Sequence, residues 1–317
     1  MNILILSVGT RNLLVSYFME SKFDKVVVTD VSELAPALYG SSSYHIVPRM
    51  TDPAYLSSIE KICDDEKIDV ILPLHEDELF LISQNRKRFE DKGIMVVVSN
   101  YATIDLCRDK YAFYQLMKKN NIPVLRTYLN VTDFEKAYNN NEIDFPVFLK
   151  PRLGAGSVHS FSANNMRFVK AVYENYKEDF IVQEFNNGNE YGVDIYVDFL
   201  SKKVTSIFIK KKLRMRAGET EKSVSIRNET IKQLVLKVIN LFDCYGPIDM
   251  DLFEINGKIY VSEINPRFGG GYPHAYLSGI NFPEYIFNNA KKIENPVLLE
   301  NYKEGIIALK TQNIRII

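Results

Sequence analysis

Toward the carboxyl end, Val261-Ser-Glu-Ile-Asn-Pro-Arg-Phe-Gly-Gly-Gly271 gathers a carboxylate, a side-chain carbonyl, an arginine and three glycines into one short stretch. Glu263 and Asn265 are two residues apart, so on a strand they share a face. Hard oxygen donors of this kind suit Mg²⁺, which takes one or two carboxylates and completes its shell with substrate phosphates. Arg267, one step further along, is placed to neutralise phosphate charge. Upstream, Asp249-Met-Asp251-Leu-Phe-Glu-Ile255 reads as a partner strand, joined by the turn Asn256-Gly257-Lys258. Such a hairpin brings Asp251 beside Glu263 and Asn265, with Asp249 able to share the task. An ordinary hairpin with one hydrated acidic face would carry the same residues, so the chemistry rests on what else the chain offers.

Lysines and a glycine loop are the candidates for a phosphate site. The spacing of Cys107, Tyr111, Tyr114 and Met117 predicts a helix over Asp105–Lys119. Lys110 lies near its first turn, where a cation opposes the helix dipole, a local conflict that marks sites. Phe145–Lys150 reads as a strand ending in Lys150, followed by Pro151-Arg-Leu-Gly-Ala-Gly-Ser157. The amides around Gly154, Gly156 and Ser157 can wrap a phosphate chain. The lysine precedes the glycines and no Gly-Lys-Ser/Thr follows, so this is not a Walker loop. The apolar strand ending Gln183-Glu184-Phe185 stops at Asn186, and its free backbone groups suit the edge of a base. Glu190 can accept two hydrogen bonds from ribose hydroxyls. Val204–Lys211 alternates as a strand and runs into a basic segment ending at Arg216. For Lys210–Lys212 a solvated basic edge strand weighs as much as function. Arg214 and Arg216, beside the turn Ala217-Gly218, are read as cations facing a triphosphate or a carboxylate substrate.

The scaffold for these residues is legible in outline. The 317 residues are 46% hydrophobic and 25% charged with a net charge of −1, which offers no global field to recruit nucleic acid or an acidic membrane. Cys63, Cys107 and Cys244 are odd in number and lack metal-ligand spacing, which fits a reduced, cytoplasmic compartment. Ile3–Leu6 is too short for a signal core, and no run approaches transmembrane length. Strands at Ile3–Val8, Val26–Thr29, Val70–Leu74 and Met95–Val98 alternate with helices at Leu13–Met19, Ala54–Glu66 and Glu76–Lys92. That order predicts a doubly wound parallel sheet with ligands beyond the carboxyl ends of its strands. Asp30 follows Gly9 at about 20 residues, the offset of a ribose-binding acid, but the dinucleotide fingerprint needs three glycines and Gly9 stands alone. Arg11 and the acidic loop Pro73–Glu78 are substrate-contact candidates, although the loop also reads as a helix cap. Ser225–Phe242 predicts a helix, Tyr272–His274 lines an acceptor pocket, and residues 304–317 hold two apolar runs read as terminal strands.

In order and spacing, Lys110, Lys150 with its glycine loop, Gln183-Glu184-Phe185, Glu190, Asp251 and Glu263-Ile-Asn265-Pro-Arg267 resemble the ATP-grasp superfamily. The resemblance is greatest to the branch related to the carbamoyl-phosphate synthetase large subunit, which includes single-chain carboxylate–amine ligases. It implies an α/β and α+β architecture. A Rossmann-like domain spans 1–104, a helix with a lid subdomain 105–185, and a catalytic subdomain with an antiparallel sheet 186–317. It implies that Lys110 and Lys150 contact the phosphates of ATP beneath a lid of Gly154, Gly156 and Ser157. Gln183, Glu184, Phe185 and Asn186 then meet adenine, and Glu190 meets ribose. Asp251, Glu263 and Asn265 hold two Mg²⁺ ions, with Mn²⁺ as a substitute, while Arg267 steadies the transferred phosphoryl group; Arg214 and Arg216 fall in a basic loop like that of related ligases. The family often has Glu or Gln where Asp251 stands. The implied activity joins a small-molecule carboxylate to an amine through an acyl phosphate, releasing ADP and phosphate. The expected protein is cytoplasmic, without nucleic-acid or membrane partners, and homodimeric. Two alternatives remain. A carbamoyl-phosphate-type reaction on bicarbonate is disfavoured by the single ATP-grasp unit. A nucleotide-binding regulator without turnover is disfavoured by the intact Asp251, Glu263, Asn265 and Arg267.

Overall fold

The computed structural model describes residues 1–154, 159–216, 218–311, 314 and 316. Gly156, Ser157 and Ala217, and most of the second apolar run of the tail, lie outside them. The amino-terminal part contains β1 (Asn2–Leu6), α1 (Asn12–Met19), β2 (Lys25–Asp30), β3 (Ser43–Ile46), α2 (Tyr55–Glu66), β4 (Val70–Pro73), α3 (Glu76–Gln84), α4 (Arg86–Glu90) and β5 (Met95–Val96). Its strands form a parallel sheet in the order β3-β2-β1-β4-β5. The near-continuous apolar runs of β1, β2 and β4 are buried on both faces, as a doubly wound sheet requires. Strand β3, Ser-Tyr-His-Ile at the sheet edge, is only half buried and carries too little apolar signal to be read from sequence. The helix expected over Glu76–Lys92 is two helices, interrupted at Asn85. Asp30 does not await a ribose: its carboxylate accepts from the amides of Gly9 at 2.8 Å and Ser32 at 3.1 Å.

The helix expected over Asp105–Lys119 is likewise two, α5 (Tyr101–Arg108) and α6 (Lys110–Lys119). Asp109 leaves the helical region and caps α6, accepting from the amides of Tyr111 and Ala112. A small antiparallel sheet follows, built from β6 (Thr127–Tyr128), α7 (Val131–Asn139), β7 (Val147–Pro151), β8 (Phe161–Ala163), α8 (Met166–Asn175) and β9 (Phe180–Glu184). Its order is β6-β9-β7-β8, with Phe134, Leu149, Val169 and Phe180 in its own core.

The last part comprises β10 (Asn189–Val197), β11 (Val204–Arg216), β12 (Glu219–Ser225), α9 (Glu229–Ile239), β13 (Gly246–Ile255), β14 (Lys258–Asn265), α10 (Tyr272–Leu277), α11 (Phe282–Ala290) and β15 (Ile307–Leu309). The antiparallel order is β14-β13-β10-β11-β12-β15, so β11 is an inner strand and not the edge that the basic segment suggested. One face of this sheet is apolar, with Val193, Ile209, Met250 and Val261 packed on Val235 of α9 and Phe113 of α6. At its other end, Tyr196 and Phe208 join Phe268, Tyr272 and Phe282 in the core that reaches β1 and α1. No helix among the described residues is long and apolar enough to cross a membrane.

Asp198 ties this assembly together. Fully buried, it accepts from the side-chain amides of Asn289 and Asn295, from the Asn295 amide, and from the amides of Leu200 and Ser201. Burial alone would raise its carboxyl, but these donors hold it below the ordinary value. The folded protein therefore binds this proton less readily than the unfolded chain. The stabilisation is present above the unfolded carboxylate range near 3.9 and lost as pH falls through the folded value. Asp198→Asn, which faces amide donors with another amide donor, is expected to cost on the order of 3 kcal/mol at neutral pH and to flatten the acid limb of the stability curve. Thermal unfolding followed between neutral and acid pH checks both.

Candidate active site

The polar face of the six-stranded sheet is built by alternation. On β13, Ile248, Met250 and Leu252 are buried on the apolar side, which turns Asp249 and Asp251 to the opposite face. The turn to β14 is tight, with Asn256 and Gly257 both at positive φ (50° and 76°), as a two-residue hairpin requires. Strict alternation from Ile259 and Val261 would carry Glu263 into the apolar core. Instead Ser262 is an extra residue: Asp251 pairs with Glu263, while Leu252 pairs with Val261. This bulge re-phases the strand, buries Ile264, and aims Glu263 and Asn265 at the same side as Asp249 and Asp251. Asn265 Nδ2 lies 3.3 Å from Glu263 Oε1.

Beside these acids, β11 contributes cations that the sequence left undecided. Lys212 Nζ bridges Glu190 at 2.7 Å and Asp251 at 2.8 Å, with only 5% of its side chain exposed. Glu190 and Asp251 flank it from β10 and β13, so the lysine crosses over β10 to reach Asp251, passing above Gly192. A Cβ on Gly192 would stand 3.0 Å from the Lys210 chain and 3.2 Å from that of Lys212. Lys210 is fully buried and pairs with buried Asp194. Burial alone would lower the Lys212 ammonium, yet Asp251 and Glu190 hold it above its ordinary value. The Asp251 carboxyl is pushed up by burial, opposed by Lys212 and reinforced by Asp249 and Glu263. The face thus carries more negative charge than its own lysine neutralises.

The remaining positive charge comes from the other lobes. Lys150 is the penultimate residue of β7 in the small sheet. Burial pushes its ammonium down to about 8, and Glu263 is the strongest charge acting against that shift. Burial would raise the Glu263 carboxyl, but Lys150 and then Lys110 hold it low. Lys110 is the first residue of α6 and donates to the Gly154 carbonyl. Its ammonium is lowered by burial, against Glu263 and Glu76. The Asp109 carboxylate that caps α6 also grips the guanidinium of Arg152 at 2.9 Å, and the Lys110 amide donates to the Arg152 carbonyl at 3.1 Å. The loop after Lys150 and the start of α6 are therefore tied to each other directly.

The parallel sheet also reaches this cleft. Glu76, with Cys107, Arg108, Asn265 and Arg267, lines a narrow crevice between the lobes. Arg267 Nη1 lies 4.0 Å from Asp249 and donates to the Phe268 carbonyl at 2.8 Å. Arg11, from the turn after β1, donates to that same oxygen at 3.1 Å. Two guanidinium groups sharing one acceptor lie within about 6 Å, a repulsion on the order of 3 kcal/mol at an effective dielectric near 20. Burial, then Arg267, lowers the Arg11 guanidinium to about 10.

Other expected site residues stand apart from this cluster. Gln183 is buried and donates to Thr127 Oγ1 at 2.9 Å. The Glu184 carboxylate is held by both arms of Arg126, at 3.0 and 3.1 Å. Phe185 is exposed, and the Asn186 side chain accepts from Gly188 in its own turn. Arg214 and Arg216 are exposed and pair with Glu221 at 2.9 and 3.4 Å, outside the acidic cluster. In the loop 75–78, His75 caps α3 and Glu78 is fully buried, while Glu76 alone turns to the cleft. Sequence reasoning therefore missed the Lys210–Asp194 pair, left Lys212 undecided, and named the loop that holds Glu76 without singling that residue out. The available signal was the alternation of Asp194 and Lys210 with β-branched neighbours, which a solvated edge does not need.

Among the described residues, no three His, Cys, Asp or Glu side chains converge on one point as a complete metal cage. An ion held by Asp251 and Glu263 would take its further ligands from phosphate, the way Mg²⁺ is usually bound. A family profile described as an ATP-grasp domain matches residues 107–271, and one described as a PylC-like N-terminal domain matches residues 3–97. D-alanine–D-alanine ligase B of Clostridium perfringens (strain 13 / Type A) is 25% identical over 262 residues, covering 72% of this chain and 84% of that protein. The arginine-specific large chain of carbamoyl phosphate synthase from Bacillus subtilis (strain 168) is 20% identical over 243 residues, and this match spans 72% of this chain but 23% of that one. The fold is that of N5-carboxyaminoimidazole synthetase from Staphylococcus aureus, solved with ADP, at a TM-score of 0.75 and 19% identity over 97% of this chain and 79% of that chain.

Replacing Lys212 by Met is expected to leave Glu190 and Asp251 unpaired and to cost about 3 kcal/mol. Arg214→Ala, at an exposed ion pair, is expected to change stability by no more than about 0.5 kcal/mol. Melting temperatures of the two variants, compared at low and moderate salt, check the contrast.

Proposed function

Since the chain belongs to the ATP-grasp family, we propose that it is an ATP-dependent ligase joining a small carboxylic acid to an amine. The observation that carries this reading is the meeting of Lys150 and Lys110 with Glu263 across two lobes, over a sheet face that presents Asp251 and Lys212. Opposite charges held apart in a cleft are the complement of a metal–polyphosphate. The lysines meet phosphate oxygens, and the acids meet the ion that those oxygens share.

In this reading Lys110, Lys150 and Lys212 bind the phosphates of ATP, and Glu190 turns toward ribose. Glu184, whose carboxylate is engaged by Arg126, offers its backbone carbonyl to the adenine edge, and Asn186 its amide. Gly154, Gly156 and Ser157 form the lid. Asp251, Glu263 and Asn265 hold Mg²⁺, two ions in the fuller version, with Asp249 close enough to share a place. A divalent ion bound there neutralises charge that develops on the transferred phosphoryl oxygens. Arg267 faces those same oxygens from the far side of Asp249. Arg214 and Arg216 take part only if the hairpin that carries them folds over the site.

The chemistry asks little of side chains beyond positioning and charge. A carboxylate oxygen of the acid attacks the γ-phosphorus, and the bond to the bridging oxygen breaks with its electrons leaving on ADP. The amine nitrogen then attacks the acyl carbon, the carbon–oxygen bond to phosphate breaks, and the amine proton leaves with phosphate. The lobes exclude water, which would otherwise hydrolyse the acyl phosphate.

Mg²⁺-dependent ADP release with mixtures of acids and amines is the expected activity, with mass spectrometry identifying the amide. Glu263→Gln is expected to lower the rate by about 100-fold or more, and chelation of divalent ions to abolish it. Tight ATP binding without ADP release in any mixture would overturn the ligase reading.

A further inference from the structure

Arg11 is the side chain that the nucleotide reading leaves unused. It occupies the N-cap of α1, where Ser, Thr, Asp or Asn usually satisfies the free amides, and it makes no side-chain cap bond. A cation at that position also opposes the helix dipole. The turn before it is specially built: Ser7 and Gly9 both have positive φ (51° and 49°), and Asp30 anchors the Gly9 amide at 2.8 Å. A non-glycine residue held in the left-handed region is strain of the kind retained at functional sites. The product of this construction is a guanidinium aimed out of the parallel sheet, onto the carbonyl of Phe268 in the catalytic lobe.

There it meets Arg267, with Asp249 and Glu219 as the acids that act against the repulsion between the two cations. Glu219, at the tip of the β11–β12 hairpin, pairs with Lys310, and Asp249 stands 4.0 Å from Arg267. The loop beside them carries no side chains. A Cβ on Gly269 would collide with the Asp249 carboxylate at 2.4 Å, and one on Gly270 would come within 3.8 Å of Glu219. Arg11 and Arg267 thus converge on one backbone carbonyl beside a stretch of bare backbone, between the catalytic lobe and the amino-terminal sheet.

We propose that Arg11 and Arg267 together cradle the carboxylate of the acid substrate, so that the amino-terminal sheet selects the acid. The inference rests on the ligase reading and deepens it. One carboxylate oxygen attacks the γ-phosphorus beside Arg267, and the second, which becomes the acyl carbonyl oxygen, is held by Arg11. Among the described residues Arg11 makes no hydrogen bond or ion pair with the acids of β13 and β14 or the lysines of the small lobe, so its loss is expected to fall on the acid and not on the nucleotide. The ligand class is a small free carboxylic acid; an ester or amide of the same acid lacks the charge that both guanidinium groups require.

The test uses the full chain with MgATP. Proteinogenic amino acids, acetate, succinate and bicarbonate serve as acids, with ammonia and glycine as amines, and ADP release is the readout. With the acid that supports the fastest release, Arg11→Gln is expected to raise the KM for that acid by roughly 10- to 100-fold, the loss of one charged hydrogen-bonded pair. The KM for ATP and the melting temperature should hold, and Arg11→Lys should recover part of the loss. An unchanged acid KM in a folded Arg11→Gln protein, or a matching rise in the KM for ATP, overturns the assignment while leaving the ligase reading intact. If Arg11→Gln does not fold, Arg11→Met in the same assay decides: a wild-type KM for the acid in that uncharged variant would overturn the cradle. ADP release with none of these acids in the wild type overturns the ligase reading, and the cradle falls with it.

Discussion

A lysine can be buried among carboxylates only if each charge meets an opposite one, and at Lys212 that condition is satisfied across three strands. The ammonium reaches Glu190 and Asp251 because Gly192, between them, has no side chain to block its path. Removing such charges from water costs several kcal/mol per ion, repaid only by close and well-oriented partners. Lys210 with Asp194 repeats the arrangement one step along the same strands. The inner face of the sheet is therefore a patterned array of opposite charges, and strand order is what fixes the pattern. A one-residue slip of β11 would turn both lysines into the apolar side.

That array is incomplete by itself. Asp249, Asp251 and Glu263 exceed the cations of their own sheet, and Lys150 and Lys110 exceed the acids of theirs. Balance is reached only where the lobes meet. An imbalance shared between two bodies gives each an electrostatic reason to approach the other, and gives a metal–polyphosphate a reason to settle between them. The Asp109–Arg152 grip passes the position of one lysine to the other, because it joins the helix carrying Lys110 to the loop leaving Lys150. On the far side, α10 and α11 pack between the parallel and antiparallel sheets, so Arg11 and Glu76 reach the cleft from a fixed direction.

Charges outside the cleft behave differently. Arg214 and Arg216 lie on the same strand as Lys212 but beyond the cover of neighbouring lobes, and each finds Glu221 within its own hairpin. Arg126 neutralises Glu184 at the end of β9, where the chain leaves the small sheet. These exposed pairs set local geometry at little energetic consequence, since water screens them. Burial, more than residue type, separates the cations that a ligand would feel from those that it would not.

The sequence by itself determined the parallel sheet, the acidic hairpin and the order of the motifs, because near-continuous apolar strands, an Asn-Gly turn and a Gly-rich stretch after a strand are local signals. It gave Glu263 and Asn265 one face, which the structure retains. It did not reveal that only the extra residue Ser262 keeps that face away from the core. It placed Lys110 at the beginning of a helix, while the break at Asp109 that makes it the first residue depends on the clasp with Arg152, 43 positions on. It weighed a solvated edge evenly against function for Lys210–Lys212 and read Arg214 and Arg216 as functional. Only the tertiary structure decided that Lys212 is buried, because whether a charge on a strand is solvated depends on which strands lie beside it, and β11 lies between β10 and β12, with β13 beyond β10.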